Sequence, residues 1–374
     1  MLTAYLPHSA QALADCLIRR EGLLNNKWSY DFGVVWRGME MLYALTGQET
    51  YFAYIHDALD SMIAEDGQIA GYSLESQNLD YLCNGRALIC LWEKTGKEKF
   101  LKAVRLLRSQ LNTQPRTSDG GFWHKQVYPY QMWLDGQHMA IPFYIQSELL
   151  LDGREEALDD AANQLILAYR HTLNPATGLP CHGWDEKRQQ HWADPETGRA
   201  AHAWGRAVGW YMVALADSLA LLPRENRHYE EVLGIFRELS GKLLAIREEG
   251  VWLQVLDCPG RAGNYLESSG SCMMAYALLK GARLGLLPAD CGAEGQKSFE
   301  AIQRQFIGQM RSGEYFVAKC CRGAGLGGSN MGRDGSFDYY ISEIVSSYDL
   351  KATGAFIQAA CEEQMLREGV ESHG

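Results

Sequence analysis

The 374-residue chain has no run of eighteen apolar residues, so it lacks any segment of the kind that crosses a bilayer as a helix. It is also short of positive charge. Its 35 lysines and arginines stand against 46 aspartates and glutamates, a formal net charge of -11. That balance argues against nucleic acid and against a basic membrane surface as partners, and an anionic ligand would need its own local Arg, Lys or His. The start, Met1-Leu2-Thr3-Ala4-Tyr5-Leu6-Pro7, has no basic stretch leading into an apolar run. The expectation is a soluble, unexported, cytoplasmic protein. None of the ten cysteines forms a Cys-x-x-Cys pair, so reduced thiols are expected and a disulfide framework or structural zinc site is not. A Gly-x-Ser-x-Gly elbow and a His-Glu-x-x-His motif are missing too.

What is present is a repeat. Thr46-Gly47-Gln48-Glu49-Thr50-Tyr51 returns as Thr95-Gly96-Lys97-Glu98-Lys99-Phe100, 49 residues later (96 − 47). In each copy a glycine suited to a left-handed helix end precedes an acidic residue suited to the next helix start, which is the turn of a helical hairpin. A second signal, glycine followed by apolar or aromatic residues, recurs at Gly67, Gly120, Gly178, Gly250 and Gly313. The intervals are 53, 58, 72 and 63 residues by subtraction, room for two helices per unit and six units in the chain.

The helical segments are of two kinds. Asp57 to Ala64, Leu101 to Leu111 and Tyr229 to Ile246 are amphipathic, whereas Gly33 to Leu45, Gly85 to Trp92, Gly209 to Leu222 and Gly270 to Leu284 are apolar almost throughout. The first kind suits an outer ring and the second an inner one. The predicted fold is all-α: an (α/α)6 barrel of six helical hairpins over residues 1–374 as one domain, with short β segments in the rim loops. Asp31, Asp80, Asp135, Arg206, Glu267 and Asp338 fall just before or at the starts of apolar segments. In such a ring those starts share one rim, so one cavity is predicted there.

The candidate site centres on Gly120-Gly121-Phe122-Trp123-His124-Lys125 and Tyr128-Pro129-Tyr130-Gln131-Met132-Trp133-Leu134-Asp135-Gly136. Aromatic faces with a few polar groups suit a sugar. Asp135 reads either as a helix N-cap or as a general acid, and the neighbouring rings would raise its pKa toward the acid range. Asp80 has the same placement one repeat earlier. If the two carboxyls face each other, repulsion would keep one protonated. His182, between Pro180 and Trp184, reads as a loop histidine held in place. Trp204-Gly205-Arg206-Ala207-Val208-Gly209-Trp210 reads either as packing or as an arginine fork for a carboxylate between stacking platforms. Gly323 to Gly328 follows no strand and lacks the Lys-Ser/Thr of a phosphate loop, so with Asn330 to Ser336 it reads as a loop bordering the cavity.

At these residues the chain resembles the unsaturated rhamnogalacturonyl hydrolases, glycoside hydrolase family 105, relatives of the unsaturated glucuronyl hydrolases of family 88. The resemblance runs from Trp28-Ser29-Tyr30-Asp31 to Phe337-Asp338-Tyr339-Tyr340-Ile341-Ser342-Glu343 and is sharpest in Gly121-Phe122-Trp123-His124-Lys125, Gln131-Met132-Trp133-Leu134-Asp135-Gly136 and Trp204-Gly205-Arg206-x-x-Gly209-Trp210. It implies an (α/α)6 barrel that removes a 4,5-unsaturated uronic acid from the non-reducing end of lyase-generated oligosaccharides, with rhamnogalacturonan disaccharide the expected substrate. Asp135 would protonate C4 and then activate water for C5, with Asp80 as the second acid. His124, Trp133, His182, Trp204, Arg206 and Trp210 match substrate-contacting positions. Arg206, and after it Lys125, would face the uronate carboxylate. No metal or organic cofactor is implied. Oligomeric state and aglycone stay open.

Two other readings fit parts of the sequence. A sugar epimerase on the same barrel would use His124 and His182 as its acid and base and leave Asp135 structural. A binding protein would use Trp133, Trp204 and Trp210 as stacking platforms only.

Overall fold

The computed structural model describes residues 6–329 and 331–369. Met1 to Tyr5, Asn330 of the glycine loop and the end of the 1–374 span lie outside the described residues. Five outer-inner helix pairs follow one another: α1 (Leu6–Glu21) and α2 (Tyr30–Thr46), α3 (Glu49–Met62) and α4 (Gly85–Thr95), α5 (Glu98–Thr113) and α6 (Leu134–Leu151), α7 (Glu155–Thr172) and α8 (Gly205–Leu221), α9 (Tyr229–Ala245) and α10 (Ser268–Arg283). The sixth is α11 (Ala289–Phe306) with α13 (Leu350–Glu368), separated by a short rim helix, α12 (Phe337–Ser342). Helices α2, α4, α6, α8, α10 and α13 each touch the next, and α13 returns to α2, so the inner ring closes. The architecture is the expected six-hairpin helical barrel.

Composition explains which helices go inside. In α8 and α10 almost every residue is buried, whereas α5 and α9 bury one stripe and carry charge on the other side. Two glycines let inner helices approach. A Cβ on Gly270 of α10 would lie 2.8 Å from the carbonyl oxygen of Gly205 in α8, and one on Gly354 of α13 would lie 2.7 Å from that of Val34 in α2.

The repeat signals mark the two rims. Gly47 and Gly96 end α2 and α4 in the left-handed conformation, their N–H groups bonding to the carbonyls of Tyr43 and Trp92. Gly67, Gly120, Gly178, Gly250 and Gly313 follow the outer helices, all at positive φ, and each turns a small antiparallel ladder: Ile63 with Ile69, Arg116 with Phe122, Leu173 with Pro180, Glu248 with Val251, and Ile307 with Val317.

Two expectations need correction. The first outer helix after the Thr-Gly turn is α3, Glu49–Met62, rather than Asp57 to Ala64. Ala64 instead pairs across the next turn, its N–H donating to the Gln68 carbonyl. Asp338 does not open an inner helix. It lies on α12 with its side chain 81% exposed and paired to Arg261, while the helix that completes the ring is capped by Asp349.

Candidate active site

A three-residue strand, Gln131–Trp133, leads directly into α6 and pairs antiparallel with Gly183–Asp185, Trp133 opposite Gly183. The Leu134 N–H then donates to the His182 carbonyl at 3.1 Å. This crossing sets Asp135 in the first turn of α6 beside the His182 ring. Asp135 is not a cap, because Trp133 holds that position. His182 Nε2 lies 3.2 Å from Asp135 Oδ2, although neither atom completes a hydrogen bond there. On its other side His182 Nδ1 is 2.8 Å from the Tyr340 hydroxyl. Burial keeps that phenol protonated. When Tyr340 donates to Nδ1, the ring proton falls on Nε2, next to the carboxylate.

Asp80 sits in a short turn, Leu79–Leu82, whose Asn78 side chain accepts from the Asp80 N–H. The turn is tied to the His124 segment, since Leu79 N–H donates to the His124 carbonyl and Asn78 bridges to Lys125. Lys125 Nζ is consequently 2.5 Å from Asp80 Oδ2, and His124 Nε2 is 3.5 Å from Oδ1. His124 also borders the other acid. A Cβ on Gly136, next to Asp135, would lie 2.9 Å from His124 Nδ1. Glycine at that position leaves room for the imidazole.

The electrostatics overturn one expectation. Desolvation of Asp135 pushes its pKa up, but the adjoining His182 and more distant cations outweigh this and hold the carboxyl below its usual range. Near pH 7 His124 contributes little of that charge, because burial pulls its own pKa down to about 4 against the opposing charge of Asp80. The two acids do not share a proton: Asp80 is paired with Lys125, and Asp135 with His182. Lys125 is in turn held protonated, Asp80 overcoming the effect of burial.

Arg206, in the first turn of α8, is 1% exposed. Its Nη1 is committed to the Cys321 carbonyl, to Ser269 Oγ at 3.3 Å and to Cys320 Sγ, and its guanidinium lies 4.6 Å over Trp204. Among the described residues its Nε has no acceptor. The Nη1 end is therefore occupied, and the Nε edge is the part left for a ligand.

The three tryptophans occupy different places. Trp133 stacks on His124 and Tyr128, 4.7 Å from each. Trp204 is enclosed by His182, Tyr340 and Arg206, with its Nε1 donating to Gln254, so it backs the site instead of offering an open face. Trp210 lies deeper, stacked on His138 at 4.5 Å with Tyr30 against its edge. Sequence reasoning gave no role to Tyr340, His138 or Tyr30. The first two act only through partners far away in the chain, which no local pattern reports.

The chain is similar to known proteins over most of its length. The model for "Glycosyl Hydrolase Family 88" matches residues 17–367. A solved Clostridium acetobutylicum glycoside hydrolase from family 105 is 40% identical, with a TM-score of 0.92 over 95% of this chain and 99% of that one. A protein of Agrobacterium fabrum is 39% identical over 233 residues, 61% of this chain and 99% of its own length. The unsaturated rhamnogalacturonyl hydrolase YesR of Bacillus subtilis is 27% identical over 280 residues, 73% of this chain and 76% of that protein.

Proposed function

Because the chain belongs to glycosyl hydrolase family 88 and its family 105 relatives, it is a glycosidase of the unsaturated uronyl type, and we propose that it cleaves the 4,5-unsaturated uronic acid from a rhamnogalacturonan disaccharide. The observation that carries the reading is the pairing of Asp135 with a histidine whose far nitrogen is fixed by Tyr340. The Asp135 side chain is 14% exposed, reachable by a ligand yet largely enclosed.

In this reading Asp135 protonates C4 of the double bond, and the resulting carboxylate takes a proton from the water that adds to C5. The product is a hemiketal. Its ring opens by breaking the C5–O5 bond, giving a ketone at C5. The hemiacetal left at C1 then releases the aglycone as an alcohol and leaves an aldehyde. Asp135 must start this cycle protonated, whereas in the unliganded site it is held ionised. The uronate resolves the conflict. An anion placed beside Asp135 and partly neutralised by Arg206 or Lys125 raises the carboxyl pKa and supplies the conjugate acid when substrate is present. His182 then stabilises the carboxylate after the proton has left. Because C4=C5 is hydrated, the carboxylate spacing that distinguishes retention from inversion in displacement enzymes has no bearing here.

The test follows the ultraviolet absorbance of the alkene-carboxylate chromophore with lyase-generated rhamnogalacturonan disaccharide. The wild type should bleach it and release rhamnose, while Asp135→Asn should be slower by roughly a thousandfold or more. Bleaching with an unsaturated uronide on another aglycone, and none with this disaccharide, would reassign the leaving sugar. Full activity in Asp135→Asn would remove the mechanism.

A further inference from the structure

Behind the catalytic wall, His202, Asp257 and Cys258 bring an imidazole nitrogen, a carboxylate oxygen and a thiol sulfur within 4.8 Å of one another. We propose that this triad is a binding site for a thiophilic divalent metal of the zinc class. It uses neither Asp135 nor Asp80.

Two of the three donor separations suit such an ion, and the third lies within 4.8 Å. His202 Nδ1 is 3.5 Å from Cys258 Sγ and 3.0 Å from Asp257 Oδ2. Bonds of zinc to nitrogen, sulfur and oxygen at tetrahedral angles place those pairs about 3.6 Å and about 3.4 Å apart. The sulfur separation already matches, and the oxygen needs a few tenths of an ångström. The donors are also held in orientation. Asp257 Oδ1 accepts the Ala203 N–H at 3.1 Å, which turns Oδ2 toward the imidazole, and Leu256 N–H returns to the Ala203 carbonyl at 2.9 Å. Second-shell hydrogen bonds of this kind fix ligand orientation in metal sites. All three residues are partly buried. One thiolate, one imidazole and one carboxylate suit zinc better than calcium or magnesium, which prefer all-oxygen shells. On binding, the Cys258 thiol gives its proton to solvent and a sulfur-metal bond forms.

The sequence hid this site because no two ligands share a metal-binding spacing: Asp257 and Cys258 are adjacent, and His202 lies 55 residues before them. Its placement ties it to the active site. The His202 carbonyl accepts the His182 N–H at 3.1 Å, and Trp204, two residues on, packs on the His182 ring. A bound ion stiffens that wall.

The test titrates chelator-stripped full-length protein with zinc against a chromophoric competitor, and separately with cobalt(II) while recording thiolate-to-metal charge-transfer absorption. The expected result is one equivalent bound, a charge-transfer band in the parent, and affinity weakened by roughly a hundredfold or more in Cys258→Ser and in His202→Gln. Circular dichroism verifies that the variants are folded. If one is not, the parent's cobalt spectrum and the remaining variant decide. No stoichiometric zinc, or binding unchanged in both variants, overturns the proposal and assigns any uptake to other thiols.

Discussion

Asp135 shows how a single side chain can be legible in type and illegible in state. The motif around it identified a candidate acid, but its ionisation depends on His182, a residue 47 positions later (182 − 135) brought alongside by strand pairing. Tyr340 is further still, 158 residues from His182. Replacing it by Phe leaves Nδ1 without its donor in a buried site, which costs about 1–3 kcal/mol of transition-state stabilisation. Steady-state kinetics on the disaccharide should show kcat/KM down roughly ten- to hundredfold in Tyr340→Phe with an unchanged far-ultraviolet spectrum. The histidines carry a pH prediction of their own. Burial lowers His124 and His138 from 6.5 to about 4, so between those values the unfolded chain takes up protons that the folded chain refuses. Their contribution is complete above pH 6.5 and is lost as pH falls toward 4. Denaturant unfolding at pH 7 and pH 5 should show stability dropping by about 2–3 kcal/mol per pH unit in that window, and His138→Gln should remove about half the slope. A flat profile would mean that both rings accept protons in place.

Among the elements, helices of both rings were legible to within a few residues: outer Tyr229 to Ile246 is observed as Tyr229–Ala245, and inner Gly209 to Leu222 as Gly205–Leu221. An all-apolar run such as Gly270 to Leu284 has sharp limits, and the observed helix, Ser268–Arg283, departs from it by a residue or two. The exception, the amphipathic α3, begins at Glu49, eight residues before the predicted start (57 − 49), because Thr50, Tyr51 and Phe52 look unlike a charged outer face although Tyr51 is fully buried against the inner ring. What composition cannot report is how closely two helices approach. The contact of α13 with α2 depends on the missing side chain of Gly354, and the Gln358 side chain donates to the same Val34 carbonyl at 2.9 Å. Gly354→Ala should force the helices apart and cost about 1–3 kcal/mol, seen as a lower urea midpoint with an unchanged slope. The gain in helix propensity from alanine, about 1 kcal/mol, opposes this and sets the lower end of the range.

Across the whole molecule the two mouths of the barrel are built differently. The catalytic mouth is ringed by loops, whereas the opposite one opens on a cavity of about 510 Å³ lined by the last turns of the inner helices and by ion pairs. Asp217, 1% exposed, receives Lys280 Nζ at 2.6 Å, the Tyr276 hydroxyl at 2.7 Å and Arg86. Asp217→Ala leaves two cations without their counter-charge and should destabilise the fold by about 3–5 kcal/mol, whereas the double change Asp217→Leu with Lys280→Met, which leaves Arg86 as the one unpaired cation, should recover part of that loss. Thermal denaturation of both variants separates the two cases. The sequence showed the repeat that builds the closed ring but not which residues close it, because the closing contacts join positions as far apart as 34 and 358. Closure at that distance has a consequence for the ribosome. While α13 is still in the exit tunnel, α2 and α10 present their apolar flanks to the cytosol or to whatever chaperone waits there, and five finished hairpins stay an open arc. Nineteen residues, the length of α13, turn that arc into an enzyme.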